Sequence, residues 1–252
     1  MKFKISAAAA IASNFLKEQI NSKLFYFFLV FSLLSAYVSS LLGLMAVDEE
    51  RKILIDFGLA AGEISVFSFM LFMSSLAVNK EMETKTVYLI LARPVPRTSY
   101  IFGKILGLTG LCALLMFAVS AVNILVLLIK GYPAGEGYFS AIFASFLKIS
   151  IASLFALAAS LITTSSFSGM IISLSAWIFG HFSSEVRFLA EKSIGIKKFF
   201  FLFFMNVMPN FQIFNFRDSA SYQGLGYSFV YFLCYFFVLS LISSFIFSKK
   251  EF

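Results

Sequence analysis

The sequence predicts an all-α integral membrane protein with six transmembrane helices, and three observations predict it. Of the 252 residues, 60% are hydrophobic, 18% are aromatic and only 13% are charged, with a mean hydropathy of +0.91. A chain of that composition cannot present an ordinary water-facing surface, so its solvent is lipid. Six stretches are apolar enough to cross a hydrocarbon core of about 30 Å, which takes roughly 20 residues of helix with every backbone group paired inside the segment. The charged residues gather mostly between those stretches.

Residues 1–252 read as a single transmembrane domain. At the start, Lys2 and Lys4 precede a short apolar run that passes into Asn14, Lys17, Glu18, Gln19 and Asn21, which argues against a cleaved signal peptide. Ala8, Ile11, Ala12, Phe15, Leu16 and Ile20 fall on one helical face. Residues 6–22 therefore read as an amphipathic interfacial helix lying on the inner leaflet, the alternative being a frayed polar lead-in. Spans follow at about 24–47, at 57–78 with Glu63 inside, and at 101–129, where Lys104 in the first turn is expected to snorkel to the interface. The next is 138–163, which holds Lys148. The fifth, 168–182, is short and rich in Ser and Gly; Gly169, Ser173 and Ala176 suggest a face for close contact with a second subunit. An outer loop, 183–225, contains the apolar run 199–208, too short to cross and broken by Pro209, which reads as re-entrant or interfacial. The sixth span, 226–247, stops at Lys249 and Lys250.

Lys and Arg are retained on the cytoplasmic side of short loops. With the N-terminus inside, the inner segments hold eleven of them and the outer segments eight, five of those in the long fifth loop. Both termini are therefore expected in the cytoplasm, and the formal charge of +7 is a topology signature that implies no nucleic-acid partner.

Between the second and third spans, residues 80–100 form a charged, Pro-punctuated insert. Val87, Ile90 and Leu91 recur at helical spacing, Arg93-Pro94 is a stop, and Pro94 and Pro96 bracket Val95 in a stiff turn back to the membrane. The insert is either a rigid contact element or a solvated loop that serves only charge topology.

The order Glu81, Thr86, Leu91, Arg93-Pro94-Val95, Arg97 and Gly103-Lys104 resembles the pattern of type-2 ABC transporter permeases. Within that family it is most similar to the permease of the nitrous oxide reductase maturation transporter and related exporter permeases. Asn14, Phe15 and Lys17-Glu18 resemble the family's interfacial helix; Asp56-Phe57-Gly58-Leu59, Gly180-His181, Pro209-Asn210 and Phe214-Asn215 extend the likeness over nearly the whole chain. The resemblance implies six spans per subunit, two permease copies per complex as a homodimer, and a separate P-loop ATPase docked on a coupling helix between spans two and three. It places Glu81, Thr86, Arg93, Pro94, Arg97 and Lys104 on the ATPase-coupling element, and Phe15, Lys17 and Glu18 on the interfacial helix. It also implies export across a bacterial or archaeal cytoplasmic membrane. Ala92 and Pro96 stand where many relatives have Ser.

The chain has no GxxxxGK[ST] phosphate cradle, so it is not expected to be an enzyme; ATP and magnesium would bind the partner ATPase, and no cofactor is expected here. Glu63 and Lys148 are the intramembrane polar candidates, because a mid-membrane charge costs roughly 2.5–3.5 kcal/mol and usually faces protein or water. They either pair, line a path or snorkel. His181, the one histidine, has no ligand cluster beside it in sequence, and Cys112 and Cys234 sit inside spans. The 35 Phe residues read as lipid-facing or interfacial packing. An intramembrane hydrolase using Ser168 and His181 is disfavoured, since 13 residues of helix hold them about 20 Å apart. A transporter driven by an ion gradient fits the composition but gives no reason for the insert at 80–100.

Overall fold

A computed structural model of the chain describes residues 4–45, 49–87, 95–216 and 224–250. Among them every regular element is helical: α1 (Ile5–Ile20), α2 (Lys23–Met45), α3 (Glu50–Glu83), α4 (Arg97–Ile129), α5 (Glu136–Thr163), α6 (Ser166–His181), α7 (Ser183–Lys192), α8 (Ile196–Val207), a 3-10 turn (Phe211–Phe214) and α9 (Leu225–Lys249). Five of these helices, α2, α3, α4, α5 and α9, are long and apolar enough to cross a membrane. The chain is an all-helical integral membrane protein.

Of the six stretches expected to cross, 168–182 behaves differently. It forms α6, whose 16 residues reach about 24 Å, less than the roughly 30 Å hydrocarbon core, so the chain gains the opposite end of the bundle only with the segments after α6, before α9 returns to the end where Arg97 holds the Ser248 and Lys250 carbonyls. The helix stops because Gly180 is roofed by the Phe211 ring and the Pro209 carbonyl, and the Gln212 amide donates to the freed His181 carbonyl at 2.8 Å. The 3-10 turn thus caps α6, and the chain turns at Phe182 into α7. The apolar run within the outer loop is α8, 12 residues and about 18 Å long.

α5 is the axis of the bundle. Its apolar window is 78% buried against 22% for α2, and α3, α6 and α9 all pack on it. Ala144, Ala152, Ala156 and Ser160 keep its surface low. A Cβ on Gly169 would lie 2.6 Å from the Ser160 Cβ, so α6 approaches as only small residues permit in a membrane. Gly169, Ser173 and Ala176, expected to meet a second subunit, are instead buried within the chain, where the Ser173 hydroxyl donates to the Ala152 carbonyl at 3.2 Å. Thr164, at φ 56°, makes the left-handed turn between α5 and α6, and Ser165 caps α6 by accepting from the Ser168 amide.

α1 carries the expected apolar face, with Ala8, Ala12 and Phe15 buried, but that face is seated on α4 and is not spread on lipid. Two glycines of α4 make the seat. A Cβ on Gly103 would stand 2.8 Å from the Ala8 carbonyl, and one on Gly107 2.7 Å from the Phe15 ring. The Lys4 amide also donates to the Ser99 hydroxyl at 2.8 Å. Gly107→Leu is therefore expected to lift α1 off α4 at a cost of about 1–3 kcal/mol; hydrogen exchange confined to residues 5–20 should rise, and unchanged protection there would contradict the seat.

Candidate functional site

At the end of the bundle that carries α1, α3 does not stop at the expected span limit. Lys80, Glu81, Met82 and Glu83 favour helix, so α3 continues to Glu83 and closes with Lys85 in the left-handed region at φ 60°. That extension points Glu81 inward. Its carboxylate accepts short hydrogen bonds from the Tyr100 hydroxyl and from the Lys104 ammonium, with which it forms an ion pair. Lys104 is only 3% exposed and lies over the Phe15 ring at 4.7 Å. The expectation that Lys104 snorkels is overturned, because its face of α4 meets α1 and α3 and a carboxylate is nearer than water.

Arg97, at the start of α4, is exposed and donates to the carbonyls of Ser248 and Lys250, 2.9 Å each, at the C-terminal end of α9. Tyr100 stacks on Phe247 with ring centroids 5.1 Å apart. Partial burial holds the Lys250 ammonium below its ordinary pKa. Thr86 is exposed; its hydroxyl lies 3.0 Å from that of Thr84 and donates to the Glu81 carbonyl at 3.3 Å. Lys17 and Glu18 are exposed on α1 while Phe15 is buried beneath Lys104. Arg93 and Pro94, with Ile90 and Leu91, lie outside the described residues. The elbow thus ties α1, α3, α4 and α9 into one unit through side chains of Phe15, Glu81, Arg97, Tyr100 and Lys104.

A second polar constellation lies inside the bundle. Glu63 of α3 and Lys148 of α5, each 4% exposed, form an ion pair. The Ser145 hydroxyl donates to Glu63 at 3.0 Å. The Lys148 ammonium stands 3.0 Å from His181 Nε2. His181 Nδ1 is 2.7 Å from the Trp177 carbonyl, which can only accept, so the proton sits on Nδ1 and Nε2 receives the Lys148 hydrogen bond. Aromatic rings wall the group: Lys148 lies 5.0 Å from the Trp177 ring, which stacks on Phe67 at 3.9 Å and abuts Phe211 at 5.1 Å. Glu63, Lys148 and His181 thereby each have polar partners within the chain, as buried charge in a membrane requires. The choice between pairing and snorkelling for Glu63 and Lys148 is resolved as pairing.

His181, Ser145 and Trp177 were missed as members of this cluster. Ser145 had a signal, since it precedes Lys148 by three residues on the same helical face. His181 had one too. Lys148 lies 16 residues before Thr164 and His181 lies 16 residues after Ser165, so an antiparallel pair turning at 164–165 sets them at equal depth. Glu63 carries no comparable pointer, because its partner is two helices away.

Compared with protein families, the chain matches the model described as ABC-2 family transporter protein over residues 10–184. That stretch runs from within α1 through α6 and includes the Glu81–Lys104 clamp and the Glu63–Lys148–His181 cluster. Comparison with curated proteins gives no match.

Proposed function

The chain belongs to the ABC-2 transporter permease family, and from that premise we propose that it is the membrane subunit of an exporter, working as a homodimer with two separate ATPase subunits. In this reading it lies in a bacterial or archaeal cytoplasmic membrane with both termini inside, and ATP and magnesium act on the partner. The observation that carries the reading is the clamp at the elbow. A push on residues 80–100 would reach α3 through Glu81, α4 through Tyr100 and Lys104, α9 through Arg97, and α1 through Phe15. A flexible loop would dissipate such a push; a hydrogen-bonded block transmits it.

Closure of the ATPases on ATP would bias the two permease copies toward an outward-open arrangement, by binding one arrangement more tightly than the other. The buried Glu63–Lys148–His181 cluster holds α3, α5 and α6 together during that movement. The same buried charges favour a second reading, transport driven by an ion gradient, since intramembrane ionisable groups also serve ion coupling.

Affinity purification of the tagged chain in mild detergent, followed by mass spectrometry, separates the two. A stoichiometric P-loop ATPase is expected. Its absence, together with proton- or sodium-dependent transport in vesicles, would overturn the exporter reading in favour of the second.

A further inference from the structure

Two adjoining hollows on the outside of the bundle make one amphiphilic feature. The first, about 130 Å³, is lined by Glu18, Gln19, Ser22, Lys80, Glu81 and Lys104, where the end of α1 meets the start of α2 and the last turns of α3. Its floor is the closed Glu81–Lys104 pair. At its rim the Glu18 carboxylate and the Lys80 ammonium are exposed, and among the described residues neither has an ion-pair partner. The second, about 350 Å³, is a groove between α2 and α3 lined by rings and aliphatic chains such as Phe27, Phe31, Ile64 and Phe72. Its two hydroxyls, Ser65 and Ser68, are turned back onto the Ala61 and Ile64 carbonyls, so the groove offers apolar surface. Leu24 and Met73 line both hollows, so the two adjoin. From Met73 to Ile64 the groove follows α3 for nine residues, about 14 Å.

We propose that this feature is a binding site for one phospholipid of the leaflet facing α1, with an aminoethyl phosphate headgroup. The Lys80 ammonium meets the phosphate, the Glu18 carboxylate meets the amine, and an acyl chain lies along the groove. A cation and an anion lining one hollow select a zwitterionic head, and a polar cup adjoining an apolar trough fits a lipid and not a free phosphate. The site bridges α1, α2 and α3 beside the elbow, so its occupancy stiffens the segment through which α1 is attached. The proposal rests on the membrane fold and is independent of whether an ATPase binds.

The test uses the full chain in nanodiscs of equal parts phosphatidylethanolamine, phosphatidylglycerol and phosphatidylcholine, released into the gas phase for native mass spectrometry. One retained phosphatidylethanolamine per chain is expected. Lys80→Ala, Glu18→Gln and the groove-filling Ile64→Trp should each lower its retention at least fivefold, with elution profiles matching the parent as a check on folding. Equal retention of the three lipids, or undiminished retention in variants that elute normally, would overturn the proposal. So would disulfide-linked dimers of Phe72→Cys in a Cys234→Ser background, because a second copy would then fill the groove.

Discussion

Glu81→Lys is expected to abolish ATP-driven transport while the chain still inserts and remains helical. The new ammonium would face Lys104 inside a pocket closed by Phe15 and Tyr100, where Glu81 now accepts from both Tyr100 and Lys104. Removing one partner of a buried pair costs about 3–5 kcal/mol, because the other charge is left uncompensated, and like charge adds repulsion. The last turn of α3 would leave α4, and the push from the elbow would no longer reach the bundle. In proteoliposomes the expected sign is ATP hydrolysis without transport, or loss of the ATPase from the complex. The exchange Glu81→Lys with Lys104→Glu should recover part of the coupling, since it restores opposite charges. Normal transport by the single variant would contradict the clamp.

Lys148→Ala is expected to be the most destabilising single change inside the bundle. It would deprive the Glu63 carboxyl group of its ion-pair partner in a site walled by Phe67, Trp177 and Phe211, again at about 3–5 kcal/mol, a large part of the stability of an ordinary domain. Replacing both charges, Glu63→Gln with Lys148→Met, removes the cost of an unpaired ion and keeps the volume. Thermal unfolding in detergent should therefore show the single variant melting well below the parent and the double variant recovering most of the loss. Additive losses in the double variant would mean the two side chains do not act as a pair.

Much of the fold was legible because a bilayer leaves the chain few solutions: apolar stretches of the right length had to be helices. The short span at 168–182 was legible as short but not as stopping at the buried cluster, since its stop depends on Gln212 and Phe211, about 30 residues downstream. The face of α1 was read correctly and its partner was not. The periodicity of Ala8, Ala12 and Phe15 reveals an apolar stripe, while Gly103 and Gly107, which make room for it, are distant in sequence. Lys104 was misread for a related reason: a lysine near a helix start snorkels by default, and only the extension of α3 to Glu83 brings a carboxylate to it. The pairing of Glu63 with Lys148 required knowing that α3 lies against α5, a packing that composition does not encode.

The central claim, that the elbow is where the partner ATPase docks, is tested most directly by cross-linking from Thr86. Thr86 is exposed on the elbow; Arg187 is exposed on α7 and shares a hollow with Tyr227 at the start of α9, whose other end meets the elbow at Arg97. A photo-reactive residue placed at each position in turn, in the intact complex within the membrane, should give an adduct with the ATPase from Thr86 and none from Arg187. An ATPase that co-purifies with the chain yet cross-links from Arg187, or is untouched from Thr86, would contradict the account.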